Sequence, residues 1–153
     1  MKFIYRFLEF TLFLFTVALV VIVAVAVVFR YVLGQSLYWG TELPNFLFMW
    51  LVFLGAAIAY RTKKHIAFSI FVNKLPPKIR NPVEMTSLLI LAAFFAFLLV
   101  TGIQVCVTNF DSETEALKWP YGVVYACVPI AGILMLLDSL SEIWVKMRGK
   151  DRG

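Results

Sequence analysis

The chain alternates between long apolar runs and short segments that hold most of its charged residues, prolines and glycines. About 20 helical residues, rising about 1.5 Å each, cross the roughly 30 Å hydrocarbon core of a bilayer. Four of the apolar runs are close to that length or longer. The pattern therefore predicts a single membrane domain over residues 1–153, with transmembrane helices at about 8–30, 38–60, 82–108 and 121–143.

The first run has some features of a secretory signal, because Lys2 and Arg6 precede it and residues 24–26 (Ala-Val-Ala) resemble a cleavage site. The apolar region of a signal is about 7–15 residues long, whereas this run continues through Phe29. We therefore expect an uncleaved helix.

Prolines mark the beginnings of two predicted helices. The second is expected to kink at Pro44 if it begins as early as Ser36, because an interior proline removes one backbone hydrogen bond. Asn81, Pro82 and Glu84 open the third, and they match the N-cap, first-turn proline and acidic residue typical of a helix N-terminus.

The link between the second and third helices is itself patterned. In residues 65–75, His65, Ser69 and Asn73 recur every four positions among apolar side chains. This spacing sets the polar residues along one line of a helix, so we expect a short amphipathic helix lying in the headgroup layer. Pro76 and Pro77 would end it.

Composition supports a membrane environment. Hydrophobic residues make up 62% of the chain and charged ones 15%, with a mean hydropathy of +0.89. In soluble domains about 45–50% of the residues are apolar and about 25% are charged. In a soluble protein the net charge of +5 would suggest a nucleic-acid partner. Here the basic residues lie between apolar runs, where they act as orientation signals, so no nucleic-acid partner is expected.

The basic residues are divided unequally between the two sides of the predicted helices. Arg30 and Lys118 lie on one side. The other twelve lie on the opposite side: Lys2, Arg6, Arg61, Lys63, Lys64, Lys74, Lys78, Arg80, Lys146, Arg148, Lys150 and Arg152. The positive-inside rule then places both termini and the middle loop in the cytoplasm. The predicted fold class is an all-α integral membrane protein of four transmembrane helices.

Candidate chemistry is sparse. The single histidine, His65, excludes a haem held by two histidines of this chain, and no cluster of metal ligands occurs. Neither a nucleophile beside a base nor a glycine-rich phosphate loop is present. Cys106 and Cys127 lie in apolar surroundings typical of packed free thiols. We expect no cofactor, no metal site and no enzymatic activity.

Ionisable residues near the helix ends are the remaining candidates for function. Glu9 is expected to reach water or to pair with Arg6. Asp138, about 27 Å along the fourth helix, is expected to lie near the cytoplasmic interface and to face Arg61 or Lys63.

Arg30 and Glu42 are opposite in sign at the outer boundary of the first two helices, and we expect them to interact. Two readings stay open for this pair, an internal tether and contacts with another subunit.

Two short patterns place small residues four positions apart, Gly55 with Ala59 and Gly122 with Ala126. Such spacing permits close approach of helix backbones, within this chain or between subunits. The outer loop between the third and fourth helices, residues 109–119, is acidic and expected to be irregular.

Several of these features together resemble the small membrane subunit of tripartite ATP-independent periplasmic (TRAP) transporters. The resemblance covers nearly the whole chain. It is carried by residues 30–37 (Arg-Tyr-Val-Leu-Gly-Gln-Ser-Leu) with Trp39 and Glu42, residues 53–57 (Phe-Leu-Gly-Ala-Ala) with Arg61, His65 and Ile66, and Leu117, Pro120, Tyr125 and Pro129.

The resemblance implies a non-catalytic subunit of the bacterial inner membrane. Its partners would be a large multi-span permease that carries the substrate and sodium sites, a periplasmic binding protein that delivers an organic acid such as sialic acid or a C4-dicarboxylate, and membrane lipids. By analogy, the outer loops would contact the partner subunit or the binding protein. The candidate contact residues are Arg30, Ser36, Trp39, Glu42, Asp111, Glu113, Glu115 and Lys118.

Two other classes of protein compete with this interpretation. A self-sufficient four-helix, proton-coupled cation exporter working as a homodimer needs a buried carboxylate in its first helix, and this helix has none past Glu9. An electron-transfer membrane anchor is disfavoured by the lone histidine, His65.

Overall fold

In the computed structural model the described part of the chain contains five helices. The structure describes residues 2–35, 37–72 and 77–150, without the side chains of 2–5, 63–72, 77–81 and 149–150. The helices are α1 (Lys2–Val32), α2 (Glu42–Val72), α3 (Pro77–Thr108), α4 (Tyr121–Tyr125) and α5 (Cys127–Lys150).

Among the residues that the structure describes, four helical stretches are long and apolar enough to cross a membrane. They are Arg6–Val32, Glu42–Thr62, Pro82–Thr108 and Tyr121–Arg148. The prediction of an all-α protein with four membrane-spanning helices is confirmed. We call the end of the bundle with loops 33–41 and 109–120 the predicted outer end, and the opposite end the predicted inner end.

Two helix beginnings differ from expectation. α2 begins at Glu42, so Pro44 lies in the first turn, where a missing N–H costs little, and the expected kink is not required. α3 begins at Pro77 and places Pro82 inside the helix, so the expected N-cap at Asn81 is wrong. Pro77 fits a first helical turn as well as Pro82 does.

The predicted amphipathic segment is partly helical. α2 continues as helix to Val72, so residues 65–72 extend a spanning helix, whereas residues 73–76 lie outside the described part of the chain. A position of this segment in the headgroup layer stays a prediction.

The fourth span is interrupted near its beginning. α4 ends at Tyr125 and α5 begins at Cys127. Pro129 has no N–H to donate to the carbonyl of Tyr125, which explains the break. The next amide, that of Ile130, donates to the Ala126 carbonyl at 3.3 Å and resumes the helical pattern.

Packing centres on α5. α3 packs along α5 over the greatest length, α2 packs on α5 as well, and α1 contacts only α2 among the described elements. α2 and α3 touch each other little. The helices therefore form an open row in the order α3, α5, α2, α1. Ala57, Phe95, Ala131 and Met135 form its buried core.

Glycines set the closest approach between helices. A Cβ at Gly122 would lie 2.8 Å from the carbonyl oxygen of Cys106 and 2.9 Å from Cδ2 of Phe110, so α4 meets α3 at a position with no room for a side chain. At Gly55 the nearest atom is Cδ1 of Leu12, 4.0 Å away. The two small-residue patterns thus occupy very different packing environments.

This contrast provides a matched pair of substitutions. We expect Gly122→Ala to destabilise the protein by about 1–3 kcal/mol, because the new methyl group overpacks the α3–α4 contact. Gly55→Ala should be neutral or stabilising by up to about 1 kcal/mol, because alanine favours the helix and finds space. Thermal unfolding of both variants in one mild detergent makes the comparison. Equal stability of the two variants would contradict the close contact at Gly122.

Candidate functional site

Glu42 joins α2 to the second loop of the predicted outer end. Its Oε1 accepts a hydrogen bond from the backbone N–H of Ala116 at 2.8 Å, and its Oε2 accepts one from that of Leu117 at 3.0 Å. Both carboxylate oxygens are thereby engaged across a sequence separation of 74 and 75 residues. Charge-assisted bonds to backbone amides are among the stronger hydrogen bonds in proteins.

The loop that Glu42 holds is ordered by its own hydrogen bonds. The Thr114 N–H donates to the Trp119 carbonyl at 2.9 Å, and the Trp119 N–H donates to the Thr114 hydroxyl at 3.1 Å. Thr114 is fully buried. The Tyr121 N–H also donates to the Ser112 carbonyl at 2.9 Å, and Lys118 adopts a left-handed conformation with φ of 55°. The described structure has no helix or strand between Thr108 and Tyr121, as expected for an irregular loop, and this closed hydrogen-bond pattern fixes the loop's path.

The loop presents its charges outward. All four of its charged side chains are exposed: Asp111, Glu113, Glu115 and Lys118. The ring of Trp119 stacks on that of Phe46 in α2, with centroids 6.2 Å apart, which adds a second link between loop and helix. The result is an acidic surface on a fixed backbone.

The expected pairing of Arg30 with Glu42 is wrong. Glu42 is turned towards the loop amides, and Arg30 is exposed, with its guanidinium 5.9 Å from the ring centroid of the adjacent Tyr31. Within the described part of the chain, Arg30 takes part in no ion pair. Trp39 is half-buried in the turn before α2, and its carbonyl accepts from the Leu43 N–H at 3.2 Å. Ser36 lies outside the described residues.

The predicted inner end carries a buried ion pair. Nη1 of Arg61 in α2 donates to Oδ1 of Asp138 in α5 at 2.9 Å. Asp138 is 2% exposed, while the side chain of Arg61 keeps 28% of its surface accessible. The prediction that Asp138 faces Arg61 or Lys63 is confirmed for Arg61, although Asp138 is buried in the bundle.

A second ion pair at this end was not expected from the sequence. Lys146 in α5 contacts Glu84 in α3. Both residues lie near the inner ends of adjacent spans. This shared depth is the feature of the sequence from which the pair could have been predicted. The two ion pairs connect α5 to both of its neighbours, α2 and α3.

Other chemistry is absent from the described part of the chain. No group of three or more histidine, cysteine, aspartate or glutamate side chains could hold a metal ion there. Cys106 and Cys127 are free thiols, half-buried and buried respectively. In the described spans, ionisable side chains lie towards the helix ends, so the middle of the bundle is apolar.

Removing the Glu42 side chain should release the loop. In Glu42→Ala, we expect backbone amides in residues 112–120 to exchange hydrogen severalfold faster, because two of them lose a carboxylate acceptor. Glu42→Gln keeps one acceptor oxygen, so its exchange rates should lie between those of the natural chain and of Glu42→Ala. Hydrogen–deuterium exchange measures this, and Glu113→Ala is the matched control because that carboxylate is exposed in the same loop. Similar exchange in Glu42→Ala and Glu113→Ala would contradict this role for Glu42.

The Arg61–Asp138 pair predicts that replacing Arg61 destabilises the protein more than replacing Asp138. Arg61→Leu should cost about 3–5 kcal/mol, because a buried carboxylate loses its guanidinium partner. Asp138→Leu should cost less, because the Arg61 head group can reach water. Thermal unfolding tests the order. Lys146→Leu, which removes a more exposed pair, serves as control and should cost less than about 1 kcal/mol. The reverse order of the first two variants would refute this view of the pair.

Comparison with known proteins agrees with this architecture. A family model described as the DctQ component of tripartite ATP-independent periplasmic transporters matches residues 19–149. A Haemophilus influenzae protein named as a TRAP transporter small permease is 29% identical over 135 residues, covering 85% of this chain and 83% of the relative. The sialic acid TRAP transporter small permease protein of Vibrio cholerae is 26% identical, with 78% and 69% covered.

A third relative is much longer. The sialic acid TRAP transporter permease protein of another Haemophilus influenzae strain is 28% identical over 116 residues, which cover 70% of this chain but 17% of that protein. The match of the family model extends over far more than half of the chain and includes α2, α3, α4 and nearly all of α5. The chain therefore belongs to the DctQ-component family, the small permease subunits of tripartite ATP-independent periplasmic transporters.

Proposed function

We propose that this chain is the non-catalytic scaffold of a sodium-coupled, binding-protein-dependent transporter for an organic acid. In this proposal it supports the large transport subunit and helps dock the periplasmic solute-binding protein. As a small permease with four apolar helices, the chain is a multi-pass protein of the inner membrane. Relatives of similar identity are named for sialic acid and for C4-dicarboxylate, so similarity alone does not select the solute.

The distribution of ionisable groups carries the scaffold proposal. A transport pathway usually places polar groups near the bilayer midplane, beside interrupted helices. Here Arg61 and Asp138 are paired near the predicted inner end, and the interruption at Ala126 is flanked by Val124 and Cys127, which are buried. The described spans offer no polar pathway of their own, which supports a static role beside a subunit that moves the solute.

A proton-coupled exporter fits this arrangement poorly. Its coupling carboxylate would belong in the first span, and the carboxylate that α1 contains, Glu9, is exposed near the predicted inner end. The absence of recognised catalytic groupings in the sequence likewise supports a role without enzymatic activity.

The longer relative supports a large permease partner. In the Haemophilus influenzae permease protein, the segment that matches this chain makes up 17% of one polypeptide. A small permease that is continuous with a large protein in one organism and separate in another is expected to bind that large protein. The apolar outer side of α1, which packs on α2 alone among the described elements, is available for such contacts and for lipid.

The loop held by Glu42 supports a docking role. Asp111, Glu113 and Glu115 are exposed on a backbone that hydrogen bonds keep in place. A fixed acidic surface that faces the periplasm attracts a basic patch on a partner at little conformational cost, and it affects mainly the association rate.

Reconstitution tests the scaffold proposal. The large permease is placed in proteoliposomes with and without this chain, and uptake of the solute is measured with binding protein and an inward sodium gradient. We expect uptake near background without the chain and full activity with it. Full sodium-driven uptake by the large subunit alone would contradict the proposal.

The same assay tests docking at limiting binding protein. Glu113→Lys with Glu115→Lys should lower uptake severalfold, and raising the binding-protein concentration should restore it. Glu9→Lys reverses an exposed charge at the predicted inner end and is the matched control. Unchanged uptake in the loop variant at every concentration would remove these carboxylates from the docking surface.

A further inference from the structure

A lateral cavity opens between α2, α3 and α4 near the predicted outer end. It has a volume of about 630 Å³ and exists because α2 and α3 hardly touch, while α4 closes the back through its contact with α3 at Gly122. We call it the outer groove. The lining residues that matter below are Trp50, Cys106, Phe110, Asp111, Val123 and Ala126.

The outer groove reaches from the membrane boundary into the hydrocarbon layer. Trp50 lies eight residues along α2 from Glu42, which is about 12 Å of helix. Asp111 lies on the loop that follows α3. The outer groove is thus open and largely apolar with one carboxylate at its mouth, because Asp111 is the ionisable member of its lining apart from the Cys106 thiol.

The apolar lining of the outer groove determines which molecules can occupy it. Water needs two to four polar partners to remain in a cavity, and apolar walls supply few. The volume lies within the range of about 300–1,000 Å³ that holds small ligands. At this depth the neighbouring material is lipid acyl chain, which has the apolar chemistry of the walls.

The negative charge at the mouth of the outer groove limits which lipid headgroups can bind there. Asp111 is exposed and lies on the same loop as the exposed carboxylates of Glu113 and Glu115. A net-anionic headgroup would be repelled by these carboxylates, whereas an ammonium group would be attracted.

We propose that the outer groove is a binding site for a phospholipid with an ammonium headgroup. One acyl chain lies along Trp50 and Val123, and the ammonium group lies beside Asp111. Bound lipid fills the gap between α2 and α3 that the helices leave open, and so completes their packing.

Native mass spectrometry of the full chain, with any subunit that co-purifies, tests the site. The protein is released from nanodiscs containing equal amounts of phosphatidylethanolamine and phosphatidylglycerol. We expect one phosphatidylethanolamine to be retained at least about threefold more often than phosphatidylglycerol. No retained lipid, or a preference for phosphatidylglycerol, would overturn the proposal.

Two pairs of variants assign the retained lipid to the outer groove. Val123→Trp should lower retention severalfold by filling the groove, while Ile133→Trp, at a similarly exposed position of α5, should not. Asp111→Asn should reduce the preference for phosphatidylethanolamine more than Glu113→Gln does, because Asp111 lines the groove and Glu113 does not. Equal effects of both tryptophan variants would place the lipid elsewhere, and an unchanged preference in Asp111→Asn would overturn the headgroup assignment.

A measurement on the unaltered groove covers the case in which Val123→Trp fails to fold. Phospholipids with brominated acyl chains quench nearby tryptophan fluorescence, and the Trp50 contribution is the difference between the natural chain and Trp50→Phe. We expect brominated phosphatidylethanolamine to quench Trp50 at lower mole fraction than brominated phosphatidylglycerol. Equal quenching by both lipids, or crosslinking of the Cys106 thiol to a co-purified polypeptide that fills the groove, would refute the proposal.

Discussion

The backbones of α3 and α5 approach each other so closely at two glycines that a side chain there would require neighbouring atoms to shift. A Cβ at Gly102 would lie 3.0 Å from the backbone nitrogen of Pro129, and one at Gly132 would lie 3.2 Å from Cα of Leu99. Lipid tails are as apolar as the helices, so burial of apolar surface gives little force for helix association in a membrane. Close van der Waals contact supplies it instead. The other helices depend on this pair, because α2 and α4 pack against it and α1 packs on α2.

Polar contacts add to the close packing at the glycines, and they lie at the two ends of the helix bundle. Arg61 with Asp138 and Lys146 with Glu84 connect three helices at the predicted inner end, and Glu42 fixes the loop at the predicted outer end. The described middle of the bundle is left apolar. Ionisable side chains of the described spans thus lie towards the ends of the bundle, which is consistent with a small permease that works beside a larger one.

The open row of helices also explains why the bundle has a lateral groove. Four spans arranged in a closed bundle would bring α2 against α3, whereas here α5 lies between them over most of their length. Where α5 gives way to the short α4, the space between α2 and α3 remains, with Asp111 at its mouth. The break at Ala126 caused by Pro129 therefore affects a surface feature as well as the course of one helix.

The sequence by itself determined the four spans, because hydrophobic length is a local property that bilayer thickness fixes. It also determined that Asp138 lies at the depth of Arg61, because helix rise converts residue number into depth. Depth does not specify which side chain faces which. Only the tertiary structure decided that Glu42 binds the Ala116 and Leu117 amides instead of Arg30, because those amides are 74 and 75 residues away and their direction depends on the loop around Thr114. Only the tertiary structure showed that Gly122 is tightly packed against a neighbour while Gly55 is not. Identical spacing of small residues does not specify which face of a helix meets a neighbour.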